Sequence, residues 1–163
     1  MSMGLGCRCI CSALLLFLLT GCYDSNEIYQ KSIDLPGTGW AREGILKDAW
    51  TASESVENAP ALLSIVHSAD FSYQNLYLTG RFYKNNQVLW TDTFSVQLVR
   101  PQGGGWLGQK QGDELIMHDT LPFRLSMQEG DVFSWELGQY SREEDLGGVS
   151  EVRVQVLEPH QIK

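Results

Sequence analysis

The chain has 163 residues, with 12 Lys and Arg against 20 Asp and Glu, a net charge of −8 at pH 7. That balance repels phosphate backbones and anionic headgroups, which argues against nucleic-acid binding and against a polybasic membrane contact. The length suits one domain.

The first element is an export signal. One basic residue, Arg8, precedes the apolar run Ala13–Leu19, and Thr20-Gly21-Cys22 follows. Ten residues of such a run rise only about 15 Å as helix, half of a ~30 Å hydrocarbon core, so a permanent transmembrane helix is not expected. Leu19-Thr20-Gly21-Cys22 fits a lipobox, in which the cysteine is acylated before cleavage. The expectation is a signal peptide over 1–21 and a mature chain starting at a lipidated Cys22. Gly4 follows an internal Met and position 8 is Arg, so the pattern for N-myristoylation is not met. Cys7, Cys9 and Cys11 lie in the segment to be removed and lack thiolate-cluster spacing. With three of the four cysteines gone and the fourth acylated, the mature domain has no disulfide and no cysteine nucleophile. Removing Arg8 leaves 11 basic residues against 20 acids, a mature charge of −9. Attachment to the membrane must then come from acyl chains, several of which suffice where one is marginal.

Residues 22–36 read as a polar, lipidated tether with an edge strand around Ile28–Ile33, and 37–163 as the folded domain. From Gly37 the dominant period is two. Gly44–Thr51 is a weak strand candidate, and Ala61–His67 is an apolar run suited to a strand buried on both faces. Leu76, Leu78, Gly80 and Phe82 alternate with Tyr77, Thr79, Arg81 and Tyr83; Lys84–Gln87 supplies a turn. Val88, Trp90, Phe94, Val96 and Leu98 follow on one face, interrupted by Asp92, for which a bulge or a buried, hydrogen-bonded acid is expected. Leu121–Met127, Phe133–Leu137 and Val152–Val156 complete the set. Seven or eight strands with turn signals between them, and no amphipathic helix of ten residues, predict an all-β antiparallel sandwich.

Chemistry is sparse. His67, His118 and His160 stand in no metal-ligand spacing, and no G-x-S-x-G elbow is present. His118 and Asp119 are neighbours on a strand and point to opposite faces. Carboxylates cluster at Asp113-Glu114 and Glu143-Glu144-Asp145; a hydrolase would need two of them to converge, and Arg142–Gly148 is conceivable as a calcium loop. A solvated acidic loop is the stronger reading. Trp90 and Trp135 fall at inward positions. Trp106 sits in the glycine-rich loop Arg100–Gly112, where its ring either plugs the end of the sandwich or faces a partner, and the plug is favoured. No enzyme activity, metal or cofactor is expected. The aromatic supply keeps a glycan-binding surface lipoprotein as the alternative.

Asn75-Leu76-Tyr77-Leu78, the hairpin ending Asp92-Thr93-Phe94, and Gly105-Trp106-Leu107-Gly108 with Gly112-Asp113 resemble the GldH gliding-motility lipoproteins of Bacteroidota. Gln139-Tyr140-Ser141-Arg142-Glu143-Glu144 and Leu146-Gly147-Gly148-Val149 are similar to the same family. The run Gly103-Gly104-Gly105 departs from the Asp-Gly turn usual there. The resemblance implies an accessory lipoprotein of the gliding machinery and of the type IX secretion bound up with it, held at the membrane by lipid and in contact with other envelope proteins. It carries over no catalytic residues. Trp106, Leu107, Gly108, Gly112, Asp113, Arg142 and Glu143 are its candidate interaction residues. Tyr23 after the lipidated cysteine makes the outer membrane the expected location.

Overall fold

The computed structural model describes residues 27–159. Cys22, the signal segment and His160 lie outside the described residues. Among the described residues there are eleven strands, nine of which form two main antiparallel sheets. One contains β1 (Glu27–Asp34), β4 (Val56–Ser68), β7 (Gln109–Gln111), β8 (Glu114–Met127) and β11 (Val149–Leu157), in the order β1-β11-β4-β8-β7. The other holds β3 (Leu46–Thr51), β5 (Asn75–Lys84), β6 (Gln87–Gln97) and β9 (Val132–Gln139), in the order β3-β9-β5-β6. A short ribbon pairs β2 (Trp40–Ala41) with β10 (Asp145–Leu146).

Alternation explains the packing. Leu63, Ile65, Val152 and Val154 from the first sheet meet Leu76, Leu78, Phe82, Trp135 and Leu137 from the second, and these inward side chains are at most 1% exposed. Each contributes about 1.5–3 kcal/mol by leaving water, which lets a domain without disulfides hold together. The all-β sandwich expected from the sequence is the fold found.

Some details differ from expectation. The edge strand expected around Ile28–Ile33 is present as β1, and it is slightly longer, pairing with β11 from Glu27↔Leu157 to Asp34↔Glu151. The ladder between β5 and β6 shifts register at Phe82/Tyr83, where Leu89 is the extra residue, so the bulge is not at Asp92. Asp92 is also exposed: it stands opposite Gly80 on an edge strand, and its carboxylate accepts the Thr93 amide at 2.8 Å. The Trp90 and Phe94 rings occupy the space over Gly80, where a Cβ would lie 2.6 Å from Trp90. Finally, the loop Arg100–Gly112 contains β7, which pairs with the unexpected first half of β8.

The direction of the strands sets the geometry of function. Glu27, Leu157 and Met127 lie at one end of the sandwich; Asp34, His67, Asn75, Gln139 and Val149 lie at the other. At about 3.4 Å per residue, the eight residues of β1 separate these ends by roughly 25 Å.

Candidate functional site

At the end opposite Glu27, a cleft of about 930 Å³ opens between the Phe71–Tyr77 segment and the loop after β9. The loop is pinned by side chains of distant segments. Arg42, just beyond β2, donates to the carbonyls of Arg142 and Glu143 and pairs with the Glu144 carboxylate at 2.9 Å. Buried Gln139 accepts from the Ser141 amide at 2.8 Å and donates to the Glu143 carbonyl at 3.1 Å. Tyr73 donates its hydroxyl to Glu143 Oε1 at 2.6 Å, which raises the pKa of its own phenol, because ionising it would put two anions side by side.

Three tyrosines edge this cleft with exposed rings: Tyr73, Tyr77 and Tyr140. Tyr140, just past the end of β9, donates its amide to the Tyr77 carbonyl on β5, so the two stand opposite each other, both exposed. Arg142 lines the cleft, and its guanidinium has no ion-pair partner among the described residues.

Of the seven candidate interaction residues, Arg142 and Glu143 are in the cleft and the others are not. Trp106, Leu107 and Gly108 form a strap across the same end of the sandwich. Trp106 bridges to Val99, and Leu107 donates its amide to the Leu98 carbonyl. The Trp106 ring takes the inward placement, half-buried on the core and 4.9 Å from the His67 ring. Gly108 has φ +88° and presses on β8, where a Cβ would stand 2.3 Å from the Ile116 carbonyl oxygen. Gly112 and exposed Asp113 make the β7–β8 turn. The strap and the cleft are joined by rings in sequence: Trp106 to His67, His67 to Phe71 at 5.7 Å, and Phe71 to Tyr73 at 5.7 Å.

His67 is fully buried; its Nδ1 bonds to the Ser68 carbonyl and its Nε2 has no partner. Desolvation lowers its pKa. His118 Nδ1 lies 2.7 Å from Ser64 Oγ on the outer face of the five-stranded sheet, but that hydroxyl is fully buried and out of reach of a substrate carbonyl. Among the described residues no three His, Asp or Glu side chains converge to hold a metal ion. Asp113 does not approach the cleft that holds Glu143.

Arg42, Tyr73, Tyr77 and Tyr140 were not marked as site residues by the sequence. The signal for Tyr77 was its outward position in a strand of clean alternation, whereas Arg42 acts across about a hundred positions of chain.

A sequence model of the GldH lipoprotein family matches residues 27–156, nearly all of the described domain. The chain belongs to the GldH lipoprotein family. It is thereby a gliding-motility-associated lipoprotein at family level, of a kind associated with the envelope and not known for enzymes. No curated protein matches it. Solved structures similar to this GldH lipoprotein include a family 35 carbohydrate-binding module from Clostridium thermocellum, 13% identical with a TM-score of 0.34, over 77% of this chain and 85% of that one. The ANX2 ectodomain from Arabidopsis thaliana is 10% identical with a TM-score of 0.34, over 80% of this chain and 33% of that one. The CBM22-1 xylan-binding domain of Paenibacillus barcinonensis Xyn10C is 14% identical with a TM-score of 0.28, over 82% and 96%. At these scores the likenesses carry no argument about ligand or partner.

Proposed function

We propose that this GldH lipoprotein is a non-catalytic component of the gliding apparatus and of the type IX secretion machinery associated with it. In this reading it is held at the outer membrane of a Bacteroidota cell by palmitate and other acyl chains on Cys22, and it acts by contact with other envelope proteins. The observation that carries the reading is the family match over residues 27–156. The lipobox ending at Cys22 supports the anchorage.

The tether is short. Only four residues separate Cys22 from Glu27, and five residue steps span at most about 18 Å. A domain on so short a lead stays beside the membrane, with the tyrosine cleft at its far end. Such a geometry suits a protein that holds a surface in place for partners rather than one that diffuses to a substrate.

The test is affinity purification of the native lipoprotein from crosslinked cells. Gliding or secretion components should dominate the recovered proteins. Recovery of none of them above a control lipoprotein would count against the reading.

A further inference from the structure

We propose that the cleft opposite the N-terminal tether is a saccharide-binding site, sized for a short oligosaccharide. Its volume of about 930 Å³ lies at the upper end of small-molecule pockets, enough for about two or three sugar rings.

The chemistry of the rim selects the ligand class. A strand-like peptide is captured by free main-chain groups, and the loop has largely spent its own. The Ser141 and Glu143 amides are bonded, as are the carbonyls of Arg142, Glu143 and Glu144. What the loop offers is side chains. Tyr73, Tyr77 and Tyr140 are 42%, 50% and 63% exposed around one opening, so flat apolar ring surface stands in water there, with the Tyr73 hydroxyl held by Glu143.

Arg142 adds five donors with no ion-pair partner, and Glu143 has a carboxylate whose Oε1 is fixed by Tyr73 while Oε2 has no partner among the described residues. Asn75 lines the same wall with a carboxamide that both donates and accepts. Aromatic faces for the C–H side of a ring, together with mixed donors and acceptors for vicinal hydroxyls, are what a sugar requires. Arg142 and Glu143 carry opposite charges without pairing, and Arg42 is paired with Glu144, so these four charges sum to zero and do not demand an anionic ligand.

The site is already shaped. Arg42 and Gln139 hold the loop, so little ordering entropy is left to lose on binding. The inference does not depend on the motility reading: it is measured on purified protein, and the other is measured in cells.

The experiment is to place the full-length lipoprotein, in micelles of a detergent without a sugar head group, on a printed array of bacterial, plant and algal oligosaccharides. Hits are then titrated calorimetrically. The expected result is binding of at least one oligosaccharide class that weakens about tenfold or more in both Tyr140→Ala and Arg142→Gln. Both residues are exposed, so neither change threatens the fold, and circular dichroism checks this. Val88→Ala, at the other end of the second sheet, should leave affinity unchanged. Absence of binding across the array at millimolar sugar overturns the proposal. So does binding that both cleft variants retain, or binding of extended peptides at the cleft in place of sugars.

Discussion

Tyr73 and Glu143, seventy residues apart, share a hydrogen bond of 2.6 Å that ties the segment after β4 to the loop after β9. Removing it should loosen one wall of the cleft while Arg42 and Gln139 keep the other contacts. Tyr73→Phe is therefore expected to speed amide exchange over 141–145 while leaving the midpoint of global unfolding essentially unchanged. Glu143→Gln should bring the raised Tyr73 phenol pKa back toward its ordinary 10, read by the ring-carbon NMR shift. A phenol that titrates unchanged in Glu143→Gln would mean the bond does not form in solution.

Tyr29 closes the other end of the sandwich. Its hydroxyl accepts from Trp135 Nε1 at 2.8 Å and donates to Asp48 at 2.9 Å, and its ring stacks on Trp50 at 4.0 Å. Burial, ahead of the Asp48 contact, pushes its pKa up, so the phenol stays protonated throughout the physiological range. Tyr29→Phe leaves the buried indole N–H of Trp135 without an acceptor and should cost about 1–3 kcal/mol in urea unfolding, with an unchanged m-value.

Gly108 should tolerate no side chain. Gly108→Ala meets both a positive φ and the carbonyl of Ile116, so the strap must lift from β8. A loss of about 2–4 kcal/mol is expected from strain and overpacking. Gly112→Ala, with nothing within 4 Å of its Cβ, meets only the backbone strain of φ +62° and should cost less. Equal costs would show that the strap does not press on β8.

The buried imidazole of His67 predicts an acid-side loss of stability. Its folded pKa is below the ordinary 6.5, so the unfolded chain binds more protons and stability falls as pH drops through about 6.5. Thermal unfolding at pH 7.5 and 5.5 should show a Tm decrease that is smaller in His67→Phe, which keeps the ring contacts with Trp106 and Phe71. The same decrease in both proteins would assign the effect to other groups.

Strands with a buried face on one side were legible from alternation, as in Leu76–Phe82 and Val152–Val156. The pieces that escaped lack that signature. β7 is three exposed polar residues that gain a strand only by pairing with β8. β4 was expected to begin at Ala61, yet it reaches back to Val56 because Asn58 and Pro60, turn-formers in isolation, sit at register shifts where a strand accepts them. The cleft was half legible. The loop holding Arg142 and Glu143 stood out by composition, while Tyr73, Tyr77 and Arg42 join it through long-range pairing that no local pattern encodes.

The central claim is that this GldH lipoprotein serves gliding and type IX secretion from a lipid anchor at Cys22. Deleting its gene and scoring both colony spreading and the amount of type IX cargo in the medium tests that claim most directly. The prediction is that both fall sharply and are restored by the native gene but not by Cys22→Ser. Normal spreading with normal cargo secretion in the deletion strain would contradict it.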